Sequence, residues 1–240
     1  MANAVAIVTE SGFGKTTSAG NIPELGIKGL DPKETFFINV KGKPLPFRGW
    51  KKFYIPVDIT AGPPKEGNYL ASSNAQDITK VMNYINQNRP DIKNIVLDDF
   101  QYIMSEEFMA NALKSGFDKF NKLAKNAYDV INTGVGMRED MNFIILTHSE
   151  VKENGFDTSY KIKTIGKMLD QKVTLEGLFT IVLYGKQVWD DKEKTVAKHF
   201  VTNYDGQYPA KSPVGMFKDV YIPNDLGLVI ESINKYNNGE

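Results

Sequence analysis

The sequence predicts an α/β protein with a mostly parallel central sheet, helices on both faces and an antiparallel extension toward the C-terminus. Three observations carry this expectation. Short apolar runs recur at residues 4–8, 94–97 and 142–147, the composition of strands buried on both faces. Segments with helical apolar spacing alternate with them. The first run leads directly into a glycine-bearing turn, Ser11-Gly12-Phe13-Gly14-Lys15-Thr16-Thr17, which reads as strand, loop and helix start.

In order along the chain, residues 4–8 are the first strand and 16–22 a short helix. Residues 35–40 (TFFINV) are a second strand, and the Gly/Pro/Lys-rich 41–52 is loop. Residues 53–59 read as a short strand and 63–75 as loop. Residues 76–88 place Ile78, Val81, Met82 and Ile85 on one helical face. A buried strand at 94–97 precedes one long helix over 106–130, carrying Phe108, Met109, Leu113, Phe117, Phe120, Leu123 and Ala124. Another buried strand follows at 142–147, then two later strands at 179–184 and 199–202, read as antiparallel, and a closing helix at 226–236. There is no internal repeat and no convincing linker, so the expectation is one domain over 1–240.

Composition narrows the classes. The 240 residues are 41% hydrophobic and 24% charged, ordinary values for a globular protein. There is no cysteine, which removes disulfides and thiolate metal sites, and His148 and His199 are too few for a histidine-rich site. No apolar run reaches the ~18 residues of a membrane helix. The chain runs straight into its first strand with no room for a signal peptide, so a cytoplasmic location without membrane partners is expected. The 29 basic and 29 acidic residues cancel, so any nucleic-acid contact must come from a local basic patch. Arg48, Arg89 and Arg138 are the only arginines.

The glycine turn has the chemistry to hold a phosphate chain. Glycines let backbone N–H groups converge, Lys15 reaches β- and γ-phosphates, and the Thr16 hydroxyl ligates Mg²⁺. Against G-x-x-x-x-G-K-[ST] the match is one residue short, because Thr9 stands at the first glycine position. A second signal is Ile95-Val96-Leu97-Asp98-Asp99-Phe100-Gln101, where an apolar strand ends in carboxylates suited to Mg²⁺ beside such a loop. Asp98 is the candidate metal ligand; Asp99 either polarises the attacking water or caps the next segment. A third is Phe143-Ile144-Ile145-Leu146-Thr147-His148-Ser149-Glu150, a strand whose polar end, at Thr147 and His148, can report on a γ-phosphate.

In this order the three signals resemble the RecA-like branch of P-loop ATPases, and more narrowly the RecA-core ATPases of bacteriophages found among recombination and single-strand annealing proteins. The stretches that carry the likeness are SGFGKTT, TFFINVKGKPLPFRGW, NIVLDDFQYIM, FIILTHSE, TIGKMLD and AKSPVGMF. The resemblance implies a RecA-like core, ATP and Mg²⁺ as ligands, assembly into a ring or filament, action on single-stranded DNA, and a phage or host single-strand-binding or replication protein as partner in the host cytoplasm. It places Ser11 to Thr17 on the nucleotide, Thr16 and Asp98 on the metal, and Lys15, Asp98, Asp99 and His148 in catalysis. Relatives carry a catalytic glutamate just after the second strand; here Asn39-Val40-Lys41-Gly42-Lys43 stands there without an acid, leaving Asp99, then Glu150, as base candidates.

DNA contact in such proteins comes from mobile loops. The loop over 151–168 mixes Lys152, Lys161 and Lys163 with Phe156 and Tyr160, a combination suited to single strands. Lys161, Lys163, Lys167 and Arg138 are alternatively candidates to complete a neighbour's ATP site. Residues 133–138 are a candidate second DNA loop, and residues 210–217 a weaker base or neighbour contact. A helicase-like motor or helicase loader acting through a protein partner is the rival reading; a small-molecule kinase is disfavoured by the scarcity of arginine.

Overall fold

A computed structural model describes the chain except residues 114, 115, 117, 155, 156, 166–172, 192 and 193, and the side chains of 153, 154 and 157. Six strands lie parallel, in the order β3 (Tyr69–Ala71), β2 (Thr35–Asn39), β4 (Asn94–Asp98), β5 (Asn142–Asn154), β1 (Asn3–Thr9) and β7 (Ile181–Asp190). β8 (Thr195–Val201) and β9 (Tyr221–Pro223) extend the β7 edge antiparallel, and β6 (Asp157–Ile162) pairs antiparallel with the far half of β5. The sheet has nine strands, and β5 separates the glycine-loop strand β1 from the acidic strand β4. This is the expected class, a mostly parallel sheet with an antiparallel C-terminal extension.

Strand alternation assigns each residue its layer. Ala4, Ala6, Val8, Ile95, Leu97, Phe143 and Ile145 face one layer, under α2 (Ala75–Asn88), α3 (Gln101–Ala110) and α4 (Asp118–Val135). Val5, Ile7, Val96, Ile144 and Leu146 face the other, under the closing helix α5 (Leu226–Asn238) and the segment after the glycine loop. Gly134 in α4 is required by this packing, since a Cβ there would lie 2.4 Å from the Phe143 ring.

Five local expectations are corrected. The helix at 16–22 is a single 3₁₀ turn, Thr17–Ala19; Pro23 cannot extend it and the chain doubles back through an Ile22–Ile27 bridge. Residues 53–59 are not a strand: α1 (Trp50–Phe53) is followed by one bridge, Pro56 to Tyr69, and the strand falls at β3 instead. The long helix at 106–130 is two helices, and between them Gly116 has a φ of 94° that a helix cannot hold. The strand near 179–184 runs parallel to β1 and antiparallel to β8, so it joins the parallel set and the antiparallel C-terminal extension begins at β8. The expected loop over 151–168 is a β-hairpin as far as Ile162. Phe117, Phe156 and Lys167 lie outside the described residues.

Candidate functional site

All six parallel strands point their C-terminal ends to one edge, and the predicted residues meet there. Register puts Thr9 beside His148, and Asn39 beside Asp98. Beyond Thr9 the chain turns through Gly12 (φ 80°) and Gly14 (φ 101°), a conformation that costs glycine little. Among the described residues, the backbone N–H groups of Gly12, Gly14, Lys15 and Thr16 have no hydrogen-bond partner. Consecutive unpaired N–H groups in such a turn form an anion-binding concavity. With the 3₁₀ turn so short, this concavity and not a helix dipole is what the loop offers a phosphate.

Thr16 Oγ1 lies 3.0 Å from both oxygens of Asp98, the pairing of hydroxyl and carboxylate that Mg²⁺ would take up. Asp98 is almost wholly buried, and burial with the Asp99 charge beside it pushes its carboxyl up to about 7. Asp99 has a φ of 62°, rare outside glycine, which swings its carboxylate back over the loop. It binds Lys15 at 3.2 Å and Lys43 at 3.2 Å. Burial works against the Asp99 charge, but the two lysines overrule it and hold this carboxyl below its ordinary value.

Lys15 also reaches His148 Nε2 at 3.3 Å, and His148 stands 3.6 Å from Asp99. Burial, then the neighbouring Lys15, lower the imidazole's affinity for a proton. An Nε2 that faces an ammonium is an acceptor, so the proton of the neutral ring is assigned to Nδ1. Gln101 Oε1 accepts from Thr147 Oγ1 and His148 N, tying α3 to the sensor strand and leaving its Nε2 buried without a partner among the described residues. Tyr102 packs edge-on to His148 and lies under the ammonium groups of Lys41 and Lys43.

Thus Lys15, Thr16, Asp98, Asp99 and His148 converge, and Gly12 and Gly14 shape the loop around them. Phe13 does not face it; its ring is buried against Phe200 and anchors the turn to the C-terminal strands. Ser11 is exposed on the turn, and Thr17 opens the 3₁₀ turn. In the acid-free stretch 39–43 after β2, Lys43 turns its ammonium to Asp99, and its backbone carbonyl accepts from Asn39 Nδ2 at 2.6 Å.

The basic candidates are dispersed. Alternation along the β5–β6 hairpin puts Lys152, Lys161 and Glu150 on one face and Tyr160 on the other. Lys161 lies 3.4 Å from Glu150, while Tyr160 packs on Tyr208 with centroids 4.4 Å apart, so among the described residues of the hairpin the lysines and the tyrosine lie on opposite faces. The Lys163 backbone N–H donates to the His148 carbonyl, and its charge adds to the field on that imidazole within the same chain. Arg138 sits at the opposite end of the strands. Its terminal nitrogens donate to the carbonyls of Ile85, Asn86, Arg89 and Ile92 and its Nε faces Asp140, so the guanidinium is engaged within its own chain. Residues 133–135 belong to α4, which takes up half of the second loop candidate. In the 210–217 stretch Lys211 pairs with Val182, and Met216 and Phe217 are buried.

Lys43, Gln101, Lys198 and Asn224 were missed. Lys198 Nζ donates to Gly12 O at 3.3 Å and Asn224 Nδ2 to Gly14 O at 3.1 Å, so two C-terminal side chains hold the carbonyls of the loop. The one signal within reach was Asn224-Asp225 before an apolar helix, a capping pattern, and Asp225 does cap α5.

No protein-family model and no curated protein matches this sequence. Among solved structures, the chain is similar to a KaiC-like protein from the hyperthermophilic archaeon Pyrococcus horikoshii, at 13% identity, over 84% of this chain and 78% of that one, with a TM-score of 0.41. So loose a likeness decides nothing about activity, and the chemistry has to be read from the residues. No helix among the described residues is long and apolar enough to cross a membrane.

Proposed function

We propose that this chain is a RecA-like ATPase that binds and hydrolyses ATP with Mg²⁺ and works on single-stranded DNA in phage recombination or replication, as a ring or filament. The observation that carries the ATPase reading is the meeting of Thr16 with Asp98, 82 residues apart, beside a buried lysine and a loop whose N–H groups at Gly12, Gly14, Lys15 and Thr16 are unpaired among the described residues. These residues fit a magnesium–triphosphate: N–H groups and Lys15 for phosphate oxygens, Thr16 and Asp98 for the metal. Bound Mg²⁺ supplies neutralisation of the charge that builds up on the phosphates.

The remaining chemistry belongs to the side chains. Asp99 is the base nearest to the loop, but two lysines hold it ionised and weakly basic. When Lys15 turns to a phosphate, Asp99 keeps only Lys43, and its carboxylate becomes a better proton acceptor. His148, neutral and in contact with Lys15, is placed to register that move. Slow basal hydrolysis follows from the Lys43 clamp.

The DNA part of the reading is supported by the family resemblance and by the Lys152/Lys161 face of the hairpin that rises from the sensor strand. A rival has its own support. Trp189 and Val196 form an exposed cross-strand pair on the β7–β8 hairpin, a feature suited to the protein partner of a loader or motor. Hydrolysis measured with and without single-stranded DNA separates the two. Stimulation that falls steeply with salt, with a flatter slope in Lys152→Ala/Lys161→Ala, is expected for the DNA reading. A rate indifferent to DNA sinks it.

A further inference from the structure

We propose that the cavity of about 340 Å³ between the glycine loop and the C-terminal strands takes the nucleoside half of the nucleotide, and that Asn224 recognises it. This rests on the triphosphate reading above. Gly14 and Thr17 form one wall, Ile27 another, and Val196, Lys198 and Asn224 the third. Thr16 turns to Asp98 while the next residue, Thr17, lines the cavity, so a phosphate chain whose metal end lies at Thr16 has its other end directed here. The volume falls in the range of small-molecule sites, and Leu25, Ile27 and Val196 supply apolar walls for a flat base.

Asn224 provides the independent observation. It is 8% exposed, and its Nδ2 donates to Gly14 O. A carbonyl only accepts, so this bond fixes the orientation of the amide. The other end, Oδ1, is left buried with no hydrogen-bond partner among the described residues. Folded proteins seldom leave such an acceptor unmatched, and it calls for an N–H or O–H donor. The nucleoside of ATP offers three, the exocyclic amino group of the base and the 2′- and 3′-hydroxyls of the ribose. Lys198, on the same wall and 3.3 Å from Gly12 O, sets a cation where the phosphate nearest the nucleoside would lie.

The pocket is held open by the fold. The Asp225 carboxylate accepts from the N–H groups of Lys28 (2.7 Å), Gly29 (2.9 Å) and Gly227 (2.8 Å), which pins the 22–29 turn to the start of α5.

The test compares Mg-ATP with Mg-tripolyphosphate, which has no nucleoside, by calorimetric titration of wild type, Asn224→Ala and Val196→Trp. Val196 is 43% exposed, so the second variant narrows the cavity without threatening the core. Each variant is expected to bind ATP roughly ten-fold more weakly, as for one lost hydrogen bond or an obstructed wall, with tripolyphosphate affinity kept in Val196→Trp and falling less than ATP affinity in Asn224→Ala, which also releases the Gly14 carbonyl. Inosine triphosphate, 2′-deoxy-ATP and 3′-deoxy-ATP on wild type then assign the donor. Weak binding of the first points to the amino group, weak binding of the second or third to the 2′- or 3′-hydroxyl, and ATP-like binding of all three overturns the Asn224 contact. Parallel loss of ATP and tripolyphosphate in both variants, or no loss of either, also overturns the proposal. A wild-type chain that binds tripolyphosphate as tightly as ATP keeps the triphosphate reading and ends this one; a chain that binds neither ends both.

Discussion

The two ends of the parallel sheet are built on opposite principles. At the N-terminal ends, three asparagines and a threonine from four adjacent strands form a ladder. Asn3 donates to Asn142 (3.0 Å), Asn142 to Asn94 (2.8 Å) and Asn94 to Thr35 (3.4 Å), all at one level of the register. Arg138 closes the same end by tying α2 and its C-terminal turn to the segment before β5. The amides of this ladder are matched to one another, and none of its four residues has a positive φ. At the C-terminal ends two adjacent carboxylates are buried, one on a strained backbone, and the amide ends of Gln101 and Asn224 are left unmatched. Polar burial stabilises when every partner is present, and is retained at a cost where a ligand completes it.

The contrast can be broken from either end. The largest effect is expected from Lys15→Ala, which removes the cation for the phosphates; ATP binding in a folded variant should be lost in a titration, and wild-type affinity would refute the loop assignment. Asp98→Asn should reduce Mg²⁺-dependent hydrolysis by ~10²–10³ while binding falls far less. The same change should stabilise the protein in chelator at pH 8, because it removes a buried charge; a lower melting temperature than wild type would contradict this.

The pH dependence of that difference sharpens it. Asp98 titrates near its ordinary ~3.9 when unfolded and at about 7 when folded, so in this interval the folded chain holds a proton the unfolded chain has released. Its contribution to stability therefore declines as pH rises from about 4 to 7 and is flat above that. Asp99, held low, acts only below this window. Melts of wild type and Asp98→Asn in chelator should diverge steadily across it, and parallel curves would mean that the carboxyl is not held protonated.

At the other end, Asn142→Ala leaves Asn94 Oδ1 and Asn3 Nδ2 without partners. A loss of about 1–3 kcal/mol, or ~2–4 °C in Tm per kcal/mol, is expected with hydrolysis per folded molecule unchanged. A changed rate would show that the ends are coupled. The smallest effect is assigned to Lys43→Met. Its ion pair with Asp99 is largely exposed on the lysine side, so release of at most ~1 kcal/mol should speed basal hydrolysis up to about five-fold. A slower enzyme would make Lys43 a participant and not a clamp.

The sequence by itself determined the strands at 4–8, 35–40, 94–97 and 142–147 and the meeting of Lys15, Thr16, Asp98 and His148 at one edge. Short, mainly apolar runs of this length suit strands buried on both faces, and parallel strands present their C-terminal ends together. Tertiary structure alone decided the rest. The hairpin over 151–162 was read as loop because its lysines and polar residues gain their pairing only from β6. Lys43 and Lys198 carry no local signal, and Asn224 has only the capping pattern it shares with Asp225; Lys198 and Asn224 reach a loop some 200 residues away because β8 and β9 extend the sheet beside it. The asparagine ladder looks like three unrelated polar residues until register aligns them. Period and composition are written along the chain, whereas the partner of a polar side chain is set by which strands become neighbours, and that is fixed only when the whole core closes.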